Sequence, residues 1–92
     1  MPNAPEQPRS QESARAILAV NLIRLRQARG WSQEYLAHEA GLHRTFVAHV
    51  ERQVRNISLD NIERLALAFG VATHNLLEPT QTRPGPQPST QA

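Results

Sequence analysis

Ninety-two residues with no cysteine and a net charge of +2 leave room for one small domain, and they exclude a disulfide framework or a thiolate metal site. No apolar run resembles a signal peptide and none reaches the roughly 18 residues that cross a bilayer, so a cytoplasmic protein without membrane association is expected. All ten basic residues are arginine, and each can present a two-pronged hydrogen-bonding fork.

The seven prolines lie in MPNAPEQP and in PTQTRPGPQP. Residues 1–9 and 80–92 are polar, Pro-rich and poor in apolar side chains, the composition of disordered tails around a domain at 10–79. Within that domain the spacing predicts an all-α bundle of about five short helices. Gly30, Gly41 and Gly70 each follow a helical pattern, as C-terminal caps do. The first helix is expected from about Gln11 to Arg29, with Ser10 as N-cap and Leu18, Leu22 and Leu25 on its apolar stripe. Trp31 packs under the turn. Ser32 caps a second helix, Gln33 to Ala40, with Leu36, Ala37 and Ala40 inward. GLH is a tight turn into a third helix, from His43 or Arg44 to Gln53. Ser58 caps a fourth, Leu59 to Phe69, burying Leu59, Ile62, Leu65, Ala66 and Phe69. A brief fifth helix spans about Thr73 to Leu77, stopped by Pro79.

The third helix, HRTFVAHVERQ, raises the functional question. At 100° per residue, Arg44, Thr45, Ala48, His49 and Arg52 share an arc of about 140°, and Val47, Val50 and Val54 gather on the other side. The valine side is suited to burial. The polar arc is cationic, rich in donors, and contains no acid, which suits a closely approached anionic surface. Two short helices joined by a tight Gly turn, the second of them basic, make a helix-turn-helix. Ala37 and Gly41 are small where the two helices must cross.

With those residues in view, RQARGWSQEYLAHEAGLHRTFVAHVER resembles the core motif of the Cro/C1-type (XRE) helix-turn-helix family, and SLDNIERLALAFGV resembles its fourth helix. The likeness covers about Leu18 to Leu77. HRTFVAHVERQVRNISL is most similar to the controller proteins of restriction–modification systems, which carry Arg-Thr-aromatic at the start of the recognition helix (here Arg44, Thr45 and Phe46) and Arg-Asn just after it (here Arg55 and Asn56). One departure stands out. Gln53 occupies the position after the recognition helix where the family usually has glycine.

The resemblance and the chemistry together nominate a double-stranded DNA interface. Arg44 can fork onto guanine O6 and N7, and Thr45 can meet a thymine methyl or a base donor. His49, one turn on, reaches a base or a phosphate or remains an exposed imidazole. The controller likeness implies that Arg55 reaches a base edge. The free N–H groups of the second helix place Ser32 and Gln33 at a backbone phosphate. His43, Arg52 and Asn56 are further backbone candidates, and Phe46 packs either on sugar or over the second helix. Arg26 and Glu51 hold positions that pair in members of the family, implying a structural ion pair. His38, His43 and His49 share no helix face, so no metal site is expected. Nor is a cofactor, and with no catalytic constellation an enzyme is not expected either. One such domain reads one half-site, so a homodimer on a palindromic operator is expected, with Val71, Leu76 and Leu77 at its interface and RNA polymerase excluded or recruited according to where the dimer sits. The rival expectation is an antitoxin-like module that neutralises a partner protein, with DNA binding secondary.

Overall fold

The computed structural model describes residues 13–80. They form four α-helices, α1 (Ala14–Ala28), α2 (Gln33–Ala40), α3 (Arg44–Glu51) and α4 (Leu59–Phe69), followed by a 3-10 turn, Thr73–Leu77. No strand occurs among the described residues, so the all-α class is as expected, although the fifth element is not an α-helix. Five residues ahead of Pro79 are too few to sustain a run of i→i+4 bonds. The tails expected at 1–9 and 80–92 lie, but for Thr80, outside the described residues.

Each α-helix starts where a short polar side chain or an extended backbone allows it. Ser32 accepts from the N–H of Tyr35 at 2.9 Å and Ser58 from that of Asn61 at 3.1 Å, the caps that the sequence implies. At α1 the expected start is corrected. Ser13, extended at φ −70° and ψ 155°, is the cap, and its hydroxyl accepts from Ala16 at 3.1 Å. An extended residue cannot lie inside a helix, so α1 begins after Ser13 rather than after Ser10.

All four α-helices end in the same way. The residue after the turn donates to a carbonyl five positions back: Trp31 to Arg26, Leu42 to Ala37, Val54 to His49 and Val71 to Ala66, all at 2.9–3.0 Å. This closure needs a left-handed residue. Gly30, Gly41 and Gly70 supply it at three ends, and Gln53, with φ 64°, supplies it at the end of α3. The left-handed turn is therefore kept without the glycine. It also ends α3 at Glu51 rather than at Gln53, so Val54 leaves the valine stripe and is 59% exposed.

Leu18 and Leu22 of α1, Leu36 and Ala37 of α2, Val47 and Val50 of α3, Leu65 and Ala66 of α4, and Leu76 meet in one buried core. Trp31 is half-buried and stacks on Phe69, with ring centres 5.4 Å apart. Leu59, expected inward, is 73% exposed. It is the first residue of α4, and the burial at that end falls to Ile57 before the cap and Ile62 after it, the positions of a hydrophobic staple.

Asn21 lies on the apolar stripe of α1 and is fully buried. Its amide donates to the carbonyls of Leu76 at 2.8 Å and Glu78 at 2.9 Å, and its oxygen accepts from Arg24 at 3.2 Å. The 3-10 turn is thereby pinned to α1 with its exposed carbonyls satisfied. Leu76 is driven to 0% exposure in the process, so the expectation that it faces a second protomer is corrected: it fills the monomer's own core.

Candidate nucleic-acid interface

The tertiary frame is set by one carboxylate. Glu51, 7% exposed, accepts from Arg26 Nε at 2.8 Å, Arg26 Nη2 at 3.0 Å and Gln33 Nε2 at 2.8 Å. Arg26 Nη1 also donates to the Trp31 carbonyl at 2.9 Å. The ion pair expected between Arg26 and Glu51 is therefore present in bidentate form. It does more than tie α1 to α3, because Gln33 draws in the N-terminus of α2 and fixes both helices of the helix-turn-helix against α1. The only acid of α3 is neutralised inside the fold, so the outer face of the helix carries none.

That outer face is as the helical spacing requires. Arg44 and Thr45 are exposed at the start of α3 and Arg52 at its C-cap, with Ala48 and His49 half-buried between them. His43 is the N-cap in an extended conformation, yet its side chain makes no capping bond, which leaves the imidazole and the first backbone N–H groups turned outward. At the N-terminus of α2, Ser32 is held by its capping bond and Gln33 by Glu51, with the exposed Glu34 beside them. Gln33 keeps its second amide N–H for an outside acceptor.

The loop after α3 continues the same surface. Arg55 lies with its guanidinium 5.6 Å from the centre of the Phe46 ring. Phe46 is half-buried against the core, so it shields the junction of α2 and α3 and also orients Arg55. Asn56 is exposed and its side-chain oxygen accepts from Arg15 of α1. Arg15 and Asn21 escaped the sequence reading. Asn21 is detectable as a polar residue at i+3 from Leu18, on an otherwise apolar stripe, but Arg15 leaves no local signal, since its partner is 41 residues away. Of the residues expected at a dimer face, Val71 lines a shallow groove with Ala66, Leu67 and Ala72, and Leu77 lines a different one with Leu18, Ile57 and Leu59. Leu67 is 79% exposed.

Among the described residues no helix is long and apolar enough to cross a membrane. A helix-turn-helix family model, HTH_3, matches residues 22–75. A hypothetical transcription factor of Neisseria meningitidis serogroup B is 51% identical over 73 residues, which span 79% of this chain and 69% of that protein. Control protein C.BamHI of Bacillus amyloliquefaciens is 49% identical over 59 residues, 64% of this chain and 72% of that protein. Among solved structures, the hypothetical transcription factor NHTF from Neisseria superposes with a TM-score of 0.74 at 50% identity, over 85% of this chain and 88% of that one. The restriction–modification controller protein C.AhdI of Aeromonas hydrophila superposes with a TM-score of 0.65 at 44% identity, over 67% and 94%. The chain belongs to the XRE-type HTH_3 helix-turn-helix family, and its likeness to restriction–modification controller proteins extends well beyond the recognition helix that first suggested it.

Proposed function

We propose that this protein is a cytoplasmic, sequence-specific transcription regulator, a restriction–modification controller that binds a palindromic operator as a homodimer. The observation that carries the reading is the acid-free outer face of α3, held at a fixed angle by the Glu51 network. It occurs in a chain 49% identical to one control protein and 43% identical to another, C.SmaI of Serratia marcescens. Arg44 and Thr45 enter the major groove and read base edges, His49 follows one turn later, and Arg55 reads from the loop. Ser32, Gln33, His43, Phe46, Arg52 and Asn56 meet sugar and phosphate, fixing the register of the helix on the duplex. Regulation is by occupancy. A dimer over a promoter excludes polymerase, and one bound upstream can touch and recruit it. No cofactor enters this scheme. The relatives named above are described as transcription factors or control proteins, which favours this reading over an antitoxin-like module.

The second protomer is needed because a single α3 covers one half-site. Two recognition helices must stand about 34 Å apart to enter successive major grooves on one face. The exposed Leu67 beside the half-buried Val71 is the apolar surface that we assign to the two-fold mate, and Leu77, on a separate groove, is the second candidate.

The test is selection of sites from random duplex, followed by binding across a salt series. The expected result is a two-fold symmetric site bound with log affinity falling linearly in log salt. Leu67→Glu should shift the protein toward monomer in analytical ultracentrifugation and weaken a palindrome far more than a single half-site. Binding indifferent to salt would sink the DNA reading. A wild-type protein that stays monomeric at micromolar concentration would remove the dimer from it.

A further inference from the structure

We propose that Arg15 is a DNA-backbone contact: a groove between the first turn of α1 and residues 53–56 receives a phosphodiester of the duplex, gripped by Arg15 and the amide of Asn56 beside the base-reading Arg55. The inference rests on the DNA-binding reading above and adds to it a residue from outside the helix-turn-helix. Arg15, Gln53, Val54, Arg55 and Asn56 line this open groove. Two guanidinium groups and two amides face it, and among the described residues no carboxylate does. Arg15 Nη2 donates to the side-chain oxygen of Asn56, which occupies the acceptor of that amide and leaves its NH2 group outward. The remaining N–H groups of Arg15, those of Arg55 and the amide of Asn56 are then all donors around one space. An acid-free concavity walled by donors, two of them on fixed positive charges, matches a phosphodiester.

Position agrees with chemistry. Residues 53–56 follow α3 directly, so the groove opens beside the C-terminal end of the recognition helix, away from the base-reading Arg44. A phosphate held there belongs to the strand flanking the half-site. Arg15 and Asn56 are both exposed, and a single bond between exposed side chains contributes little to folding, so stability gives no sufficient reason for the contact. The Arg55 guanidinium lies 5.6 Å from the centre of the Phe46 ring, which holds it beside this groove.

The experiment compares wild type, Arg15→Ala, Arg15→Lys and Arg44→Ala on the selected half-site and on random duplex, each across a salt series. Arg15→Ala should weaken both duplexes by a similar factor, about threefold to tenfold at physiological salt, and make the log–log salt slope shallower by about 0.9 per protomer. Its melting temperature should match wild type. Arg15→Lys keeps the charge but not the fork and should restore the slope. A variant Arg15→Ala with wild-type slope overturns the inference, whether affinity is unchanged or lost on the specific site alone; in the latter case Arg15 acts only by positioning Asn56. If Arg44→Ala still relaxes base preference at one position per half-site while Arg15→Ala behaves as wild type, the inference fails and the DNA reading stands. A wild-type protein that binds no duplex overturns both.

Discussion

Arg24, Arg26 and Arg29, from α1 and its cap, and the arginines of α3 with its following loop have different fates. Arg24 donates to Asn21, Arg26 to Glu51 and the Trp31 carbonyl, and Arg29, at the α1 cap, to the Phe69 carbonyl at 2.8 Å while lying over the Trp31 and Phe69 rings. Arg44, Arg52 and Arg55 are exposed, and among the described residues none has a hydrogen-bond acceptor within reach; Arg55 is stacked on Phe46 and nothing more. The same side chain thus fastens the frame where the fold offers acceptors and remains available where it offers none. The contrast teaches that composition alone does not mark a nucleic-acid surface, because three of the eight arginines among the described residues are held by acceptors of the frame.

The largest effect expected from breaking this contrast is at the frame. Glu51→Ala leaves Arg26 and Gln33 without their acceptor at a site where the Glu51 side chain is 4% exposed and that of Arg26 is 15% exposed. Removing one partner of such a pair costs about 3–5 kcal/mol. Chemical denaturation should show that loss. DNA affinity should fall by more than the smaller folded fraction accounts for, because α2 and α3 lose the bonds that fix their angle, and a variant that unfolds like wild type would refute the structural role. Arg44→Ala is the opposite case: about 1–3 kcal/mol lost on the selected site, preference relaxed at one base pair per half-site, and no change in the denaturation midpoint. If Arg44→Ala weakens all sequences equally, Arg44 is a backbone contact and not a reader of bases.

Gln33 stands on the boundary between the two groups, and its substitution sharpens the comparison. Its side chain is half-buried, and one N–H is bonded to Glu51. Gln33→Ala should cost about 1.5 kcal/mol of stability, the low end for a hydrogen bond to a charged group because water reaches the site. It should also weaken specific and random duplex evenly. A purely structural Gln33 would show the first effect without the second, as titration of folded protein at low temperature would reveal.

These roles were unequally legible in the sequence. Ser32, Ser58, Gly41 and Gly70 act within four residues of themselves, so α2 and α4 could be bounded from the sequence alone. Arg26 and Glu51 were paired only through the family likeness, and the part of Gln33 in the same network was hidden, since nothing local links residue 33 to residue 51. Ser10 and Ser13 offer the same cap chemistry three residues apart, and the sequence contains no feature that decides between them. Val54 and Leu59 were assigned inward because helical periodicity was carried past a helix end in one case and onto a first helical residue in the other. At the interface, the outer face of α3 was legible because spacing alone generates it. The Arg15–Asn56 contact was not, because it closes a long stretch of chain.

The smallest effect concerns the left-handed residue between the two regions. Gln53 holds φ 64°, a conformation that costs a non-glycine residue about 1–2 kcal/mol. Glycine removes that cost, and Gln53→Gly gains accordingly, but glycine also enlarges the freedom of the unfolded chain, which takes back about 0.4–1 kcal/mol. The net expectation is a stabilisation of about 0.5–1 kcal/mol. DNA binding should move the other way. Gln53 closes α3 through the bond from Val54 to the His49 carbonyl, and the next two residues are Arg55 and Asn56. A glycine there lets the loop sample more directions, so more conformational entropy must be lost when Arg55 meets its target. The expected outcome is a slightly higher denaturation midpoint together with weaker binding to the selected site and nearly unchanged binding to random duplex. A variant both more stable and equally selective would show that Arg55 is aimed by its stack on Phe46 alone. A less stable variant would show that the glutamine side chain makes a compensating contact along the groove it shares with Arg15.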